Sequence, residues 1–83
     1  MATIDVVKQV LGETLQLGDR ADNFTESTPL LGSIAELDSM AVVTVITALE
    51  EQFDIFVEDD EISAEAFESV GTLTDFVDQK LAA

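Results

Sequence analysis

The sequence contains no cysteine and no histidine. The first absence removes disulfides and thiolate metal sites. The second removes the commonest general base and metal ligand. Neither a Ser-His-Asp nor a Cys-His arrangement can be built. A Ser-Lys pair would have to use Lys8 or Lys80, both outside the central motif. The glycines form no phosphate-binding loop. No enzymatic activity is therefore expected. Positive charge is also scarce: three bases, Lys8, Arg20 and Lys80, stand against 18 acids, for a net charge of −15. Not one base occurs in residues 21–79. Such a chain repels nucleic-acid phosphates and anionic membrane surfaces, so neither is an expected partner. Long apolar runs are missing as well. The longest, such as Met40-Ala41-Val42-Val43, fall far short of the roughly 18 residues that span a bilayer. No basic region leads into an apolar stretch at the N-terminus, so a cytoplasmic location is the expectation.

What is present is apolar content of 47% in 83 residues, enough for one small domain over residues 1–83. The acids are clustered, which favours a basic partner surface met through electrostatic steering. One cluster, Val57-Glu58-Asp59-Asp60-Glu61, invites a test against the calcium-binding EF-hand loop. Starting at Asp59, the glycine position holds Ala64 and the final glutamate position holds Val70; starting at Asp54, the third position holds Phe56. Neither register fits, and no dedicated metal site is expected.

Apolar periodicity predicts helices. In residues 4–17, Ile4, Val7, Val10, Leu11 and Leu15 recur at helical spacing, with Thr3 as N-cap and Gly18 in the C-terminal glycine position. Residues 19–37 form a long connection rich in turn formers, pinned by Phe24, Leu30, Leu31 and Ile34. A second helix spans residues 39–53, capped by Asp38, with Val42, Ile46, Leu49 and Phe53 as its buried stripe. An acidic loop follows over residues 54–61, then a short helix over residues 64–68 with Phe67 inward. Gly71 breaks the chain. Thr72 then caps a last helix with Asp75 as capping-box partner, and Leu73, Phe76, Val77 and Leu81 form its apolar face. No segment alternates long enough to be a strand. The expected fold is an all-α, small four-helix bundle with a long loop between helices one and two and a short third helix.

The chemically suggestive feature is Leu37-Asp38-Ser39-Met40 at the start of the second helix. Asp38 accepts from the N–H of Met40 or Ala41, which leaves Ser39 at the positive end of the helix dipole. A phosphate ester there would lie near unpaired N–H donors. An ordinary helix cap has the same sequence, so the motif alone leaves both readings open. On the helical wheel Met40, Thr44, Thr47 and Glu51 fall opposite the buried stripe, flanked by Val43 and Glu50. An apolar residue exposed beside an acidic face has the character of a docking site, while Met40 and Val43 packed under the long loop would belong to the core instead.

This motif, followed by a helix ending Ala48-Leu49-Glu50-Glu51-Gln52-Phe53, resembles the phosphopantetheine-attachment region of acyl carrier proteins. The resemblance extends over nearly the whole chain. It implies that a phosphopantetheinyl transferase, using coenzyme A and magnesium, esterifies 4'-phosphopantetheine onto Ser39, with Asp38 capping the helix beside it. An acyl ligase, synthase or acyltransferase with a basic docking surface would then use the terminal thiol to carry an acyl group as a thioester. Met40, Val43, Thr44, Thr47, Glu50 and Glu51 would be the partner-recognition residues of a monomer. Carriers of fatty-acid synthesis place acids in the first turns after the serine, where this chain has Ala41 and Thr44. Residues 37–51 and 58–81 resemble specialised carriers of bacterial exosortase and exopolysaccharide systems. The alternatives are an aminoacyl or D-alanyl carrier with the same arm, and an acidic interaction module without one.

Overall fold

The structure, a computed structural model, describes residues 2–32 and 37–82. Its helices are α1 (Thr3–Thr14), α2 (Ser39–Phe53) and α3 (Val70–Ala82), with 3-10 turns at Gly18–Asn23 and Asp59–Glu61. Helix α1 is the hub: it packs against α2, α3 and the first 3-10 turn. The described residues contain no strand, only one isolated antiparallel bridge between Pro29 and Ser69. The architecture is helical, as the periodicity predicts.

Helix α1 starts and stops elsewhere than expected. Ala2, which offers no side-chain cap, occupies the N-cap position, and Thr3 is already helical. The helix ends at Thr14, not at residue 17. Gln16 takes the left-handed conformation (φ 56°), and the Leu17 N–H donates to the Gly12 carbonyl at 2.9 Å. That pairing is a Schellman stop, with Gln16 in the place expected of Gly18. Leu15 and Leu17 are buried nonetheless. Their periodicity records burial, which continues after the helix hydrogen bonds end.

The described part of the connection to α2 is more ordered than its turn formers suggest. Its first part is the 3-10 turn, where Ala21 packs into the core. Leu30 is fully buried and Phe24 half-buried, whereas Leu31 is exposed; Ile34 lies outside the described residues. Backbone bonds then stitch the connection to the start of α3. Leu30 and Leu31 donate to the carbonyls of Glu68 and Phe67 at 3.1 and 2.9 Å. Val70 and Gly71 donate to those of Thr28 and Glu26, both at 2.9 Å.

In α2 the buried residues are Val45, Ile46 and Leu49, while Val42 and Phe53 are half-buried. The stripe is rotated toward Val45: α2 packs against α1, and Val42 borders an open cleft described below. Asp54 in the left-handed conformation (φ 55°) ends the helix, and the Ile55 N–H returns to the Glu50 carbonyl at 3.1 Å.

The short third helix takes the form of successive i→i−3 turns: Phe67 donates to Ala64 and Glu68 to Glu65, at 3.2 and 3.3 Å. Phe67 is buried, as expected. Ser69, not Thr72, caps α3. The Thr72 N–H donates to the Ser69 hydroxyl oxygen at 3.2 Å, and the Ser69 N–H to that of Thr72 at 2.9 Å. This reciprocal pair is a capping box shifted three residues upstream, so Asp75 has no part in it. Gly71 is therefore inside the first turn of α3 rather than a break. Leu73 and Val77 are buried, Phe76 half-buried and Leu81 exposed. Leu81 is in the last turn of the helix.

Candidate functional site

The site begins with the entry to α2. Asp38 is extended (φ −103°, ψ −175°), and its Oδ1 accepts the Ala41 N–H at 2.8 Å. Its carbonyl accepts the Val42 N–H at 2.9 Å, the first bond of the helix. The carboxylate therefore acts as a cap. Ser39 is the first helical residue and is exposed. The N–H groups of a helix's first turn have no carbonyl within the helix to bond, and the dipole makes this end positive. A phosphoester on the Ser39 hydroxyl would thus be electrostatically favoured, and nothing buries that hydroxyl.

The face beside Ser39 is open. Met40 is 77% exposed and Val43 58% exposed. Thr44, Thr47 and Glu51 are exposed as well. The Thr44 and Thr47 hydroxyls donate to the Met40 and Val43 carbonyls at 3.1 and 3.0 Å. Their protons are thereby committed, and each oxygen faces a partner as an acceptor. Glu50 departs from the expected docking face. It is half-buried, and its Oε2 accepts the Val57 N–H at 2.8 Å. It holds the chain that leaves the helix. From Ser39 to Leu49 there is no charged side chain at all, so the acidic character of this face starts only near its far end.

Next to Ser39 lies a cleft of about 370 Å³ lined by Leu31, Ser39, Val42, Val43, Ile62, Ser63, Ala64 and Phe67. Among these only Ser39 and Val43 are site residues that the sequence predicts. The signals for the others were present but mixed with core signals: Val42 is one turn on from Ser39, and Ile62 directly follows the acidic run. One wall comes from the segment after that run. Glu61 fixes it by accepting Lys80 Nζ at 2.8 Å on each carboxylate oxygen, and by accepting the Glu58 N–H at 3.0 Å. The Lys80 hydrogen bond, helped by the Glu58 N–H, holds the Glu61 carboxyl below the usual carboxylate range. Among the described residues no group of acids converges as a metal cage. Nor is any described helix long and apolar enough to cross a membrane.

Comparison with known proteins agrees with this geometry. Residues 5–78 match the family described as phosphopantetheine attachment site. An acyl carrier protein from Sulfurovum sp. (strain NBC37-1) is 38% identical over 78 residues, covering 94% of this chain and 97% of that one. The solution structure of a holo acyl carrier protein from Nitrosomonas europaea is 55% identical over the full length of both chains, with a TM-score of 0.92. The holo acyl carrier protein from Geobacter metallireducens is 27% identical, with a TM-score of 0.78 over 99% of this chain and 88% of that one. With an exposed serine at a capped helix start, an apolar cleft beside it and this match over most of its length, the chain belongs to the acyl carrier protein family.

Proposed function

We propose that residues 1–83 act as one carrier unit, with 4'-phosphopantetheine on Ser39, in a specialised acyl-transfer pathway rather than in general fatty-acid synthesis. Family membership makes the protein a carrier and not an enzyme, and it implies the prosthetic group. It also implies a phosphopantetheinyl transferase and acyl-handling enzymes as partners. The observation that carries the Ser39 assignment is its place as the exposed first residue of α2, with Asp38 holding the Ala41 N–H. When attached, the group supplies a flexible arm whose terminal thiol holds an acyl chain as a thioester. The protein contributes positioning and recognition. Ser39 is a passive acceptor, so this chain needs no base. The apolar cleft beside it suits an acyl chain better than a charged amino acid.

The neutral first turns of α2 support the specialised pathway. A partner that meets Met40, Val43, Thr44 and Thr47 finds apolar and hydroxyl contacts with no exposed carboxylate until Glu51. Enzymes that expect acids in those turns would hold this carrier poorly, and Thr44→Glu should improve their use of it.

The test of the site is intact mass. Incubation with coenzyme A and a broad-specificity transferase should add one phosphopantetheine. Ser39→Ala should abolish the addition and leave the helical circular dichroism unchanged. Modification of the alanine variant would refute the assignment.

A further inference from the structure

The far end of α2 presents a feature that the carrier role at Ser39 does not use. Phe56 is 68% exposed. Exposure of a whole aromatic ring forgoes one of the largest burial contributions a side chain can make. Disorder of the segment does not explain it, because both neighbours are fixed. Ile55 is half-buried, and its N–H bonds to the Glu50 carbonyl at 3.1 Å. Val57 is buried, and its N–H bonds to the Glu50 carboxylate at 2.8 Å. The chain runs in, out, in, and Phe56 is the residue held out. Glu50 supplies both of these bonds.

The exposed charged residues that flank Phe56 in sequence carry one sign of charge. Glu51, Asp54, Glu58 and Asp60 are all exposed and lie within five positions of it. Of the three bases in the chain, Lys8 is on α1 and Arg20 on the first 3-10 turn, while Lys80 is held by Glu61. The complement of such a patch is cationic. A second copy of the chain brings another −15 and is repelled. Anionic lipid is repelled for the same reason. An arginine or lysine side chain satisfies both elements together, because a cation pairs with carboxylates and is attracted to an aromatic face.

We propose that Phe56 is a second anchor for a cationic protein surface, separate from the contacts around Ser39. The inference deepens the carrier reading: Glu50, which holds the Phe56 segment, is eleven positions along α2 from Ser39, about 16 Å at 1.5 Å per residue. A partner that works at Ser39 and also grips Phe56 spans the neutral turns between them. Charge would bring the surfaces together, and the ring would prolong their contact.

The test uses the isotopically labelled full chain and a synthetic amphipathic peptide of arginine and leucine, followed by NMR. Shift changes should centre on Phe56, Glu51, Asp54 and Glu58. Phe56→Ser should weaken binding by about tenfold or more, the loss typical of a central aromatic contact, and Phe56→Tyr should restore most of it. Melting temperature and Ser39 modification should stay unchanged in both variants, so failure of the anchor is distinguishable from failure of the carrier assignment. Four results would overturn the proposal: shifts centred elsewhere, equal affinity for Phe56→Ser, concentration-dependent self-association lost in that variant, or Phe56-dependent binding to phosphatidylcholine vesicles.

Discussion

Gly71→Ala offers a test in which helix propensity and packing predict opposite signs. Alanine is favoured over glycine by about 1 kcal/mol in a helix interior, and Gly71 is in the first turn of α3. Propensity alone therefore predicts a modest gain. Packing predicts a loss. A Cβ at this position would approach the Glu26 carbonyl oxygen to 2.8 Å and the Glu26 Cβ to 3.3 Å. The oxygen is backbone and cannot swing away as the tip of a side chain could. It also accepts the Gly71 N–H at 2.9 Å, so relieving the overlap strains or breaks that bond. The adjacent bond from Val70 to Thr28 is on the same short stitch and must follow. A broken bond costs about 1 kcal/mol net, and a half-buried group left without a partner about 1–3 kcal/mol. Set against the propensity gain, the net destabilisation is about 1–3 kcal/mol. In a domain of this size each kcal/mol moves the melting temperature by roughly 4–8 °C, so a fall on the order of 10 °C is expected. Thermal unfolding followed by circular dichroism at fixed salt measures it. A melting temperature equal to or above that of the native sequence would refute the reasoning, because the loop would then yield at no cost.

Leu49→Ala should destabilise by about 2–5 kcal/mol and by more than Phe53→Ala, since Leu49 is buried and Phe53 half-buried; urea midpoints at constant m-value decide it, and the reverse order would mean that α2 is rotated back toward the Val42 stripe. Ser69→Ala removes the α3 cap and should cost on the order of 1 kcal/mol, whereas Asp75→Ala should change little. Lys80→Met should reveal the Glu61 pairing through pH. The folded-state pKa of Glu61 is lowered, so its contribution is present above the ordinary carboxylate value of about 4.3 and is lost as pH falls through the lowered one. The melting temperatures of native and Lys80→Met protein should therefore differ at pH 7 and converge on acidification; a gap independent of pH would rule the pairing out as a source of stability.

The sequence makes the helical class and the Ser39 entry to α2 legible for a shared reason: both rest on local rules. Apolar spacing marks a helix face, and an Asp before a Ser marks a cap. Exposure of Met40 follows from the same wheel, whereas that of Val43, on the flank of the stripe, does not. Properties set by other parts of the chain are less legible. The rotation of the α2 stripe toward Val45 depends on where α1 lies, and no feature of α2 itself encodes that. Glu50 has the spacing of a docking acid, yet its carboxylate is turned to a backbone N–H seven residues onward. Ser69 and Thr72 both suit a cap, and the choice between them depends on whether Gly71 can enter the helix. It does, and its missing side chain leaves room for the Glu26 backbone that packs there. The cleft escapes local reading for a similar reason, since its walls come from segments far apart in sequence.

The stitch between the long connection and the start of α3 has a consequence for how the chain reaches this state. Its four backbone bonds join positions about forty residues apart. Closing so long a loop is an entropic cost that must be met before the bonds are gained. The stitch should therefore form late in folding, after α1 and α2 have met, and open early in unfolding. Hydrogen exchange offers a direct view of this order. The amides of Leu30, Leu31, Val70 and Gly71 should exchange together, through one shared sub-global opening, while that of Leu49 waits for the whole domain to unfold. Because Leu31 and Phe67 both line the cleft, the same opening would unseal the space beside Ser39 without melting the helix that carries it.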